Sequence, residues 1–272
     1  MQIGIIAGTG ELPEVIARDA KERGYKVITI ALENLASSAL NDVSDEIRWI
    51  NVGKLGTLID ALKDSGVRET IMAGKVPKSL LYKSKIVPDL RAIKFLFSLK
   101  DKSDDSILNA LADELAKEGI AIINTAAFSP HLLTPAGVLT KKAPSSEEWA
   151  EIEFGLKIAR AVGELDIGQT VVVKGKAVMA VEAIEGTDEA ILRGGQWAGE
   201  GAVVVKVSKP QQDMRLDVPV IGPTTLRSMI GVRARVLAIE SERSIIIHRS
   251  KLIKEAEASG ISIVGLPRQK TE

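Results

Sequence analysis

The segment from Lys209 to Pro223 carries two aspartates, an arginine and a lysine, reading K-P-Q-Q-D-M-R-L-D-V-P-V-I-G-P. If it is extended, Asp213, Arg215 and Asp217 point to one side and the apolar residues between them to the other, because side chains alternate along a strand. Two carboxylates that flank a guanidinium suit a divalent metal ion and a phosphate ester. A self-neutralising ion-pair face in water explains the same pattern, and such surface pairs contribute little to stability.

Three loops that follow predicted strands are candidate phosphate sites. Loops at the carboxyl ends of parallel strands lie at one edge of the sheet, where ligands usually bind, and glycine lets backbone N–H groups approach a phosphate. Pro13 stands where a dinucleotide fingerprint would place its third glycine, which argues against that motif. The candidates are Gly8, Thr9, Gly10, Leu12 and Pro13 in the first loop, Gly74, Lys75 and Val76 in the second, and Asn124 and Thr125 in the third. The alternative is a set of tight turns without a ligand.

Three further acidic residues, at two places in the chain, are candidates for a site. Asp104 and Asp105 open a predicted helix, where they complement the helix dipole, and one of them could contact a ligand. Glu182 lies in an otherwise apolar strand, so it needs a partner such as a metal, an arginine or a ligand hydroxyl, unless it faces outward. Thr187 or Asp188 then caps the next helix.

The predicted helix from Asp89 to Leu99 has an unusually apolar set of residues. The simplest interpretation is a helix packed in a core. If the ligand is a lipid, the same residues could instead line an apolar cleft.

The elements that would position these residues fall into two halves. In residues 1–130, strands alternate with helices, which predicts a Rossmann-like, mostly parallel sheet with helices on both faces. Residues 131–145 are rich in proline and glycine and are predicted to be a linker. Residues 146–272 favour an α+β domain with a mixed sheet. Its predicted strands are Thr170–Lys174, Ala177–Ala183, Ala202–Val207, Leu216–Ile221, Arg235–Glu240 and Ser244–His248.

Composition excludes several classes of function. The 36 basic residues balance 36 acidic ones, so a broad basic surface for nucleic acid is not expected. There is no cysteine, which excludes disulfides and thiolate chemistry, and two histidines cannot build a multi-histidine metal centre. No apolar run is long enough to span a membrane. The N-terminus lacks a signal pattern, which fits a cytoplasmic setting, and any lipid contact would be peripheral.

Taken together, the motifs resemble one family. They are A-G-x-G-x-L-P at Ala7–Pro13, A-G-x-V at Ala73–Val76, D-D at 104–105, V-E-A-x-E-G-T-D at Val181–Asp188, and K-P-x-Q-D-x-R-x-D-x-P-x-x-G-P at Lys209–Pro223. This set is similar to the UDP-2,3-diacylglucosamine pyrophosphatases of lipid A biosynthesis, in the form unrelated to calcineurin-like phosphoesterases. The resemblance covers nearly the whole chain. Lys78 departs from it, where the family has an arginine-proline pair.

The resemblance implies hydrolysis of UDP-2,3-diacylglucosamine to UMP and 2,3-diacylglucosamine 1-phosphate, with Mg²⁺ or a similar divalent cation as cofactor. It implies that residues 1–130 bind the uridine nucleotide, that residues 146–272 carry catalysis, and that the lipid lies between them. A homodimer is a further implication, as is a cytoplasmic location with peripheral contact at the inner membrane.

The expected roles follow from the charge of a pyrophosphate diester. Asp213 and Asp217 would hold the cation, which neutralises phosphate oxygens and activates water. Arg215 and Lys209 would stabilise the transferring or leaving phosphate. Glu182 would be a further ligand or a general base. A non-hydrolytic nucleotide-sugar binding or transfer protein remains the alternative, and an NAD(P)-dependent oxidoreductase is disfavoured by the absence of a full fingerprint.

Overall fold

The chain forms two compact units in a computed structural model that describes residues 1–77, 86–99, 101, 103–210 and 212–268. The first unit contains Met1–Pro130 together with Asp213–Asp217, and the second contains His131–Gln212 and Val218–Glu272. The expected α/β class is confirmed, with a parallel sheet in the first unit and a mixed sheet in the second.

The first unit is built on a five-stranded sheet with the order β3-β2-β1-β4-β5, in which every neighbouring pair is parallel. Its strands are β1 (Gln2–Ala7), β2 (Lys26–Leu32), β3 (Glu46–Ile50), β4 (Glu69–Ala73) and β5 (Ala121–Ile122). The helices among its described residues are α1 (Leu12–Glu22), α2 (Leu40–Val43), α3 (Leu55–Asp64), α4 (Leu90–Ser98) and α5 (Asp104–Lys117).

Burial explains why the central strands of this sheet read as continuous apolar runs. In β1 every residue from Ile3 to Ala7 is buried, and in β2 every residue after Lys26 is buried. Strands that alternate with helices are covered by those helices, so they lack the polar face of a half-exposed strand. Helix α1 places Ile16 and Ala20 in the same interior.

The second unit contains a six-stranded sheet with the order β6-β13-β11-β9-β7-β8 and a two-stranded parallel sheet of β10 and β12. The pairs β13–β11 and β11–β9 are parallel, whereas β6–β13, β9–β7 and β7–β8 are antiparallel. The strands are β6 (Gly137–Val138), β7 (Thr170–Lys174), β8 (Ala177–Val181), β9 (Val203–Lys206), β10 (Val220–Ile221), β11 (Val236–Glu240), β12 (Ile245–Ile246) and β13 (Ser262–Leu266). The helices are α6 (Ser146–Glu164), α7 (Thr187–Ala198), α8 (Pro223–Gly231) and α9 (Arg249–Ala258).

Helix α6 packs on this sheet through a glycine. A Cβ at Gly155 would lie 2.8 Å from a methyl group of Val205, so a larger residue would push the helix away from β9. The helix begins in a capping box, in which Ser145 and Glu148 each satisfy a backbone N–H of the other.

Three features of the second half differ from the elements predicted from sequence. Residues 131–145 belong to the second unit, where β6 pairs with β13, and the predictions missed both of these strands. The predicted strand Leu216–Ile221 is only Val220–Ile221 in the structure. The residues before it, Asp213–Asp217, form a turn and belong to the first unit.

Candidate functional site

The loops after β1 and β4 are joined directly, as expected for neighbouring parallel strands. The backbone N–H of Gly8 donates to the carbonyl of Ala73 at 2.8 Å. Thr9 and Lys75 exchange two backbone hydrogen bonds of 2.9 and 3.1 Å, and the Thr9 hydroxyl donates to the Lys75 carbonyl at 3.0 Å. The two predicted glycine loops therefore form one continuous structure at the carboxyl edge of the sheet.

The glycines of these loops are needed for the loops to approach each other. Gly74 has φ +84°, and a Cβ there would lie 2.5 Å from the carbonyl oxygen of Thr9. A Cβ on Gly8 would lie 2.7 Å from the carbonyl oxygen of Lys75. The sequence suggested that these glycines make room for a ligand, and the structure supplies a second reason, which is backbone packing.

The first loop leaves part of its backbone open at the start of α1. Gly10 is exposed, and no atom of another residue lies within 4 Å of where its Cβ would be. The N-cap residue Glu11 makes no side-chain capping hydrogen bond. Leu12 and Pro13 are buried, so their side chains anchor the helix instead of facing solvent. Gly10 is therefore the part of this loop best placed to meet a phosphate.

The second loop presents Lys75 and Val76 to solvent, with Val76 45% exposed. An exposed ammonium on a flexible stem suits a phosphate. Lys78, the departure from the family pattern, lies outside the described residues.

The third predicted loop lies beside the turn of Asp213–Asp217. The Thr125 hydroxyl donates to the carbonyl of Met72 in β4 at 3.4 Å, and its backbone N–H donates to the carbonyl of Met214 at 3.5 Å. Thr125 is 2% exposed, whereas Asn124 is exposed and accepts a hydrogen bond from the backbone N–H of Ala126. The acidic turn therefore lies at the carboxyl edge of the first sheet, next to the third candidate loop.

The prediction of an extended, alternating strand at Asp213–Asp217 is wrong. The carbonyl of Asp213 accepts hydrogen bonds from the N–H groups of Leu216 at 3.0 Å and Asp217 at 3.1 Å, which closes a single helical turn. Leu216 is buried in the apolar core of the first unit. The Leu216 side chain anchors this turn in the core. Residues four apart on a helical turn lie on the same face of it. Asp213 and Asp217 thus share a face for a different reason from the one predicted.

Arg215 is the ion-pair partner of Asp213. Its Nε lies 3.1 and 3.0 Å from the two carboxylate oxygens, and its Nη2 lies 2.6 Å from Oδ2. Hydrogen bonds from the Arg215 side chain hold the pKa of Asp213 below its usual value, and the Asp213 carboxylate raises the pKa of Arg215. Arg215 is the more exposed of the two, so a ligand can reach its guanidinium from solvent.

Glu182 lies in a buried polar network of the second unit. One carboxylate oxygen accepts from the Thr187 hydroxyl at 2.9 Å, and the other lies 3.8 Å from Nζ of Lys206. Lys206 Nζ donates to Thr187 at 2.7 Å and to Thr170 at 3.4 Å. Glu182 and Lys206 are 9% and 6% exposed. The predicted need for a partner is met by a lysine, and Thr187 is part of the same network.

Lys209 is also buried and paired. Its ammonium contacts the carboxylate of Asp166, and its backbone N–H donates to Oε1 of Gln212 at 2.8 Å. Lys209 is 4% exposed. The sequence placed this ammonium opposite a phosphate, and in the structure its charge is balanced by Asp166.

Asp105 lies in the first turn of α5, where its backbone carbonyl accepts from the side chain of Asn109. Ser103 is the N-cap and its hydroxyl accepts from the N–H of Ser106 at 3.2 Å. The helix-start role predicted for this acidic pair is therefore consistent with the fold.

The acidic turn offers only part of a cation site. In the described part of the chain, no group of three or more His, Asp or Glu side chains is arranged to hold a metal ion. Mg²⁺ is often bound by one or two carboxylates together with substrate phosphates and water. Asp213 and Asp217 on one face of a turn fit this requirement, although Asp213 already accepts from Arg215.

Sequence reasoning missed the two charged partners in these networks, Lys206 and Asp166. A lysine at the end of the valine-rich β9 was a signal, because a buried ammonium needs a carboxylate just as Glu182 needs a cation. Asp166 has φ +55°, which is typical of a turn. This conformation does not indicate that Lys209 is its partner.

The described residues include no helix that is both long enough and apolar enough to cross a bilayer.

Comparisons with known proteins agree over the whole chain. Residues 2–132 match the LpxI N-terminal domain and residues 135–264 match the LpxI C-terminal domain. The chain is 31% identical over 280 residues to the UDP-2,3-diacylglucosamine pyrophosphatase LpxI of Caulobacter vibrioides, and the alignment covers 99% of each.

Solved structures give much weaker likenesses. The biotin carboxylase subunit of pyruvate carboxylase has a TM-score of 0.28 at 13% identity, over 67% of this chain and 38% of that one. The NAD complex of UDP-glucose 4-epimerase from Thermus thermophilus has a TM-score of 0.32 at 9% identity, over 100% and 88%. Similarities at this level carry no argument. The two domain matches and the full-length relative establish the family. The chain belongs to the LpxI family.

Proposed function

We propose that this protein hydrolyses the pyrophosphate bond of UDP-2,3-diacylglucosamine, giving UMP and 2,3-diacylglucosamine 1-phosphate in lipid A biosynthesis. The observation that carries the proposal is the full-length similarity to a UDP-2,3-diacylglucosamine pyrophosphatase. The placement of the acidic turn beside Thr125, at the carboxyl edge of the first sheet, supports it physically.

In this proposal the glycine loops bind the UDP portion of the substrate. Gly8, Thr9, Gly10, Gly74 and Lys75 supply backbone N–H groups and one ammonium for the phosphates. Leu12 and Pro13 hold the start of α1 in place, because they are buried under that turn. Val76, Asn124, Thr125, Asp105 and Thr187 complete the proposed substrate-binding set.

Mg²⁺ is the proposed cofactor, and Asp213 and Asp217 are the residues that would hold it. When bound, it would neutralise phosphate oxygens and lower the pKa of a water molecule. Arg215 keeps Asp213 ionised and offers its remaining N–H groups to the phosphate. In this way the turn provides both negative charge for the cation and positive charge for the substrate.

Lys209 and Glu182 of the second unit belong to the same proposal. Lys209, paired with Asp166, holds the start of the segment that leads into the acidic turn through its hydrogen bond to Gln212. Glu182, hydrogen-bonded to Thr187, is the proposed general base or further cation ligand, and Lys206 keeps its charge balanced in a buried setting. A cytoplasmic location and a homodimer belong to the same proposal, and cell fractionation and light scattering test them.

One assay tests the proposal. The purified protein is incubated with UDP-2,3-diacylglucosamine, with Mg²⁺ or with a chelator, and both products are measured by mass spectrometry. Stoichiometric release of UMP and the 1-phosphate only when Mg²⁺ is present is the expected result. Recovery of bound but intact substrate would favour the non-hydrolytic alternative and contradict the proposal.

A further inference from the structure

Helix α4 presents a set of large apolar side chains to solvent. Leu90 is 79% exposed and Phe97 is 89% exposed, and they are joined by Ile93, Leu96 and, just before the helix, Val87. Leu90, Ile93 and Phe97 follow the i, i+3, i+7 spacing of a single helix face. We call Leu90, Ile93, Leu96 and Phe97 the outer face of α4.

The other side of the same helix is the one that packs against the protein. Ala92 is buried, and Phe95 packs against the core of the first unit. Arg91 makes ion pairs with Glu114 at 2.9 Å and Glu118 at 2.6 Å. Helix α4 therefore has two distinct faces. One packs against the core of the first unit, and the outer face is apolar but exposed.

Contacts within the first unit hold α4 in place without any partner at its outer face. Asp89 caps α4 by accepting from the N–H of Ala92 at 2.7 Å, and its second oxygen accepts from the N–H of Gly56 in α3 at 2.8 Å. A ligand for this face would bind a preformed helix and would not have to order it.

The charge of the surrounding sequence indicates what covers the outer face. Lys94 is exposed on α4. From Lys75 to Lys102 the chain carries seven lysines and one arginine against two aspartates, although the whole chain is neutral. A short helix with an exposed apolar face in a strongly basic stretch has the features of an interfacial helix, which binds at the boundary of anionic lipid headgroups and acyl chains.

We propose that the outer face of α4 docks on the surface of an anionic lipid bilayer, with Leu90, Ile93 and Phe97 entering the interface and the exposed Lys94 meeting the headgroups. This deepens the proposed function, since a diacylated substrate resides in a bilayer. Binding to lipid needs no hydrolysis, so failure of one proposal is distinguishable from failure of the other.

The test is flotation of the full-length protein with vesicles of phosphatidylcholine, with or without phosphatidylglycerol. Binding is expected only when phosphatidylglycerol is present, and it should weaken as the ionic strength rises. Leu90→Ser and Phe97→Ser should each reduce the partition coefficient about tenfold, because each removes a large apolar side chain from the interface. Lys94→Gln should reduce it about fivefold.

Trp197→Ser is the matched control, since Trp197 is 77% exposed but lies on α7 of the second unit. It should leave vesicle binding unchanged, and thermal unfolding should confirm that all variants fold. Equal binding by wild type and the Leu90→Ser/Phe97→Ser protein would overturn the proposal. The proposal would also be overturned if the double substitution converted a dimer to a monomer and left vesicle binding unchanged. That result would show that a second copy of the chain covers the outer face.

Discussion

Asp213 and Arg215 form a two-pronged ion pair inside one turn, with the guanidinium of Arg215 hydrogen-bonded to both carboxylate oxygens of Asp213. The pair orients the carboxylate and favours its charged form. It also gives the turn a charge of each sign at neighbouring positions, which is what binding a cation and a phosphate together requires.

Removal of Arg215 should shift the pH dependence of turnover. In the wild type the pKa of Asp213 is below its usual value, so the carboxylate stays ionised to a lower pH than an ordinary aspartate does. In Arg215→Gln that pKa rises toward its usual value, and protonation begins at higher pH. The acid limb of the kcat/KM profile should therefore move to higher pH.

Arg193→Gln is the control for this shift, because Arg193 belongs to the second unit and is paired there with Glu185. Its acid limb should match the wild type. Coincident acid limbs for Arg215→Gln and the wild type would show that Asp213 does not govern the profile.

The contact between the two glycine loops predicts a specific loss of stability. Gly74→Ala places a Cβ 2.5 Å from the Thr9 carbonyl at a φ of +84°. Gly119→Ala has the same problem of positive φ, at +75°, but no atom within 4 Å. We expect Gly119→Ala to cost about 1 kcal/mol in the free energy of unfolding, and Gly74→Ala to cost at least about 1 kcal/mol more.

Urea unfolding of the two variants measures this difference. Equal losses would mean that the two loops can separate without penalty and that their backbone packing does not require glycine at position 74.

The buried pair of Glu182 and Lys206 should be strongly coupled. Lys206→Met leaves a carboxylate of 9% exposure without its cation and is expected to cost about 3 kcal/mol. Adding Glu182→Gln should recover part of that loss, because no uncompensated charge then remains. Lys117→Met, in an exposed pair with Glu114, should cost less than about 0.5 kcal/mol.

A double-mutant cycle in urea gives the coupling energy of Glu182 and Lys206. Strictly additive losses would show that the two charges do not stabilise each other.

The parallel sheet could be read from the sequence because its signals are local. The sequence predicts strands at Gln2–Ala7, Lys26–Leu32 and Glu69–Ala73, which are the bounds of β1, β2 and β4, since each is a largely apolar run that ends at a glycine or a polar turn. Their loops meet at one edge because parallel strands all end there. Strands β6 and β13 were missed: β6 has two residues, and its pairing with β13 joins positions far apart in the chain.

The acidic segment shows where local patterns become ambiguous. Met214, Leu216 and Val218 alternate with polar residues, which is typical of a strand. A turn anchored by Leu216 alone satisfies the same pattern, and the choice between the two depends on the core of the first unit. Helix α4 is ambiguous in the same way, because an apolar face looks alike in sequence whether it is buried or exposed.

The central claim is that the carboxylates of the acidic turn carry hydrolysis. Asp213→Ala and Asp217→Ala should each lower UMP release at least about a hundredfold, because each removes a proposed ligand of the cation. Folding should persist, since Leu216 still anchors the turn in the core. Asp64→Ala, which removes a largely exposed carboxylate on α3, is the control and should retain full activity.

The most direct measurement is therefore UMP release from UDP-2,3-diacylglucosamine by Asp213→Ala and Asp217→Ala, with UDP binding followed by calorimetry in the same preparations. We predict that turnover is lost while UDP binding and the unfolding midpoint stay close to those of the wild type. Near-normal UMP release by both single variants would contradict the assignment of catalysis to this turn.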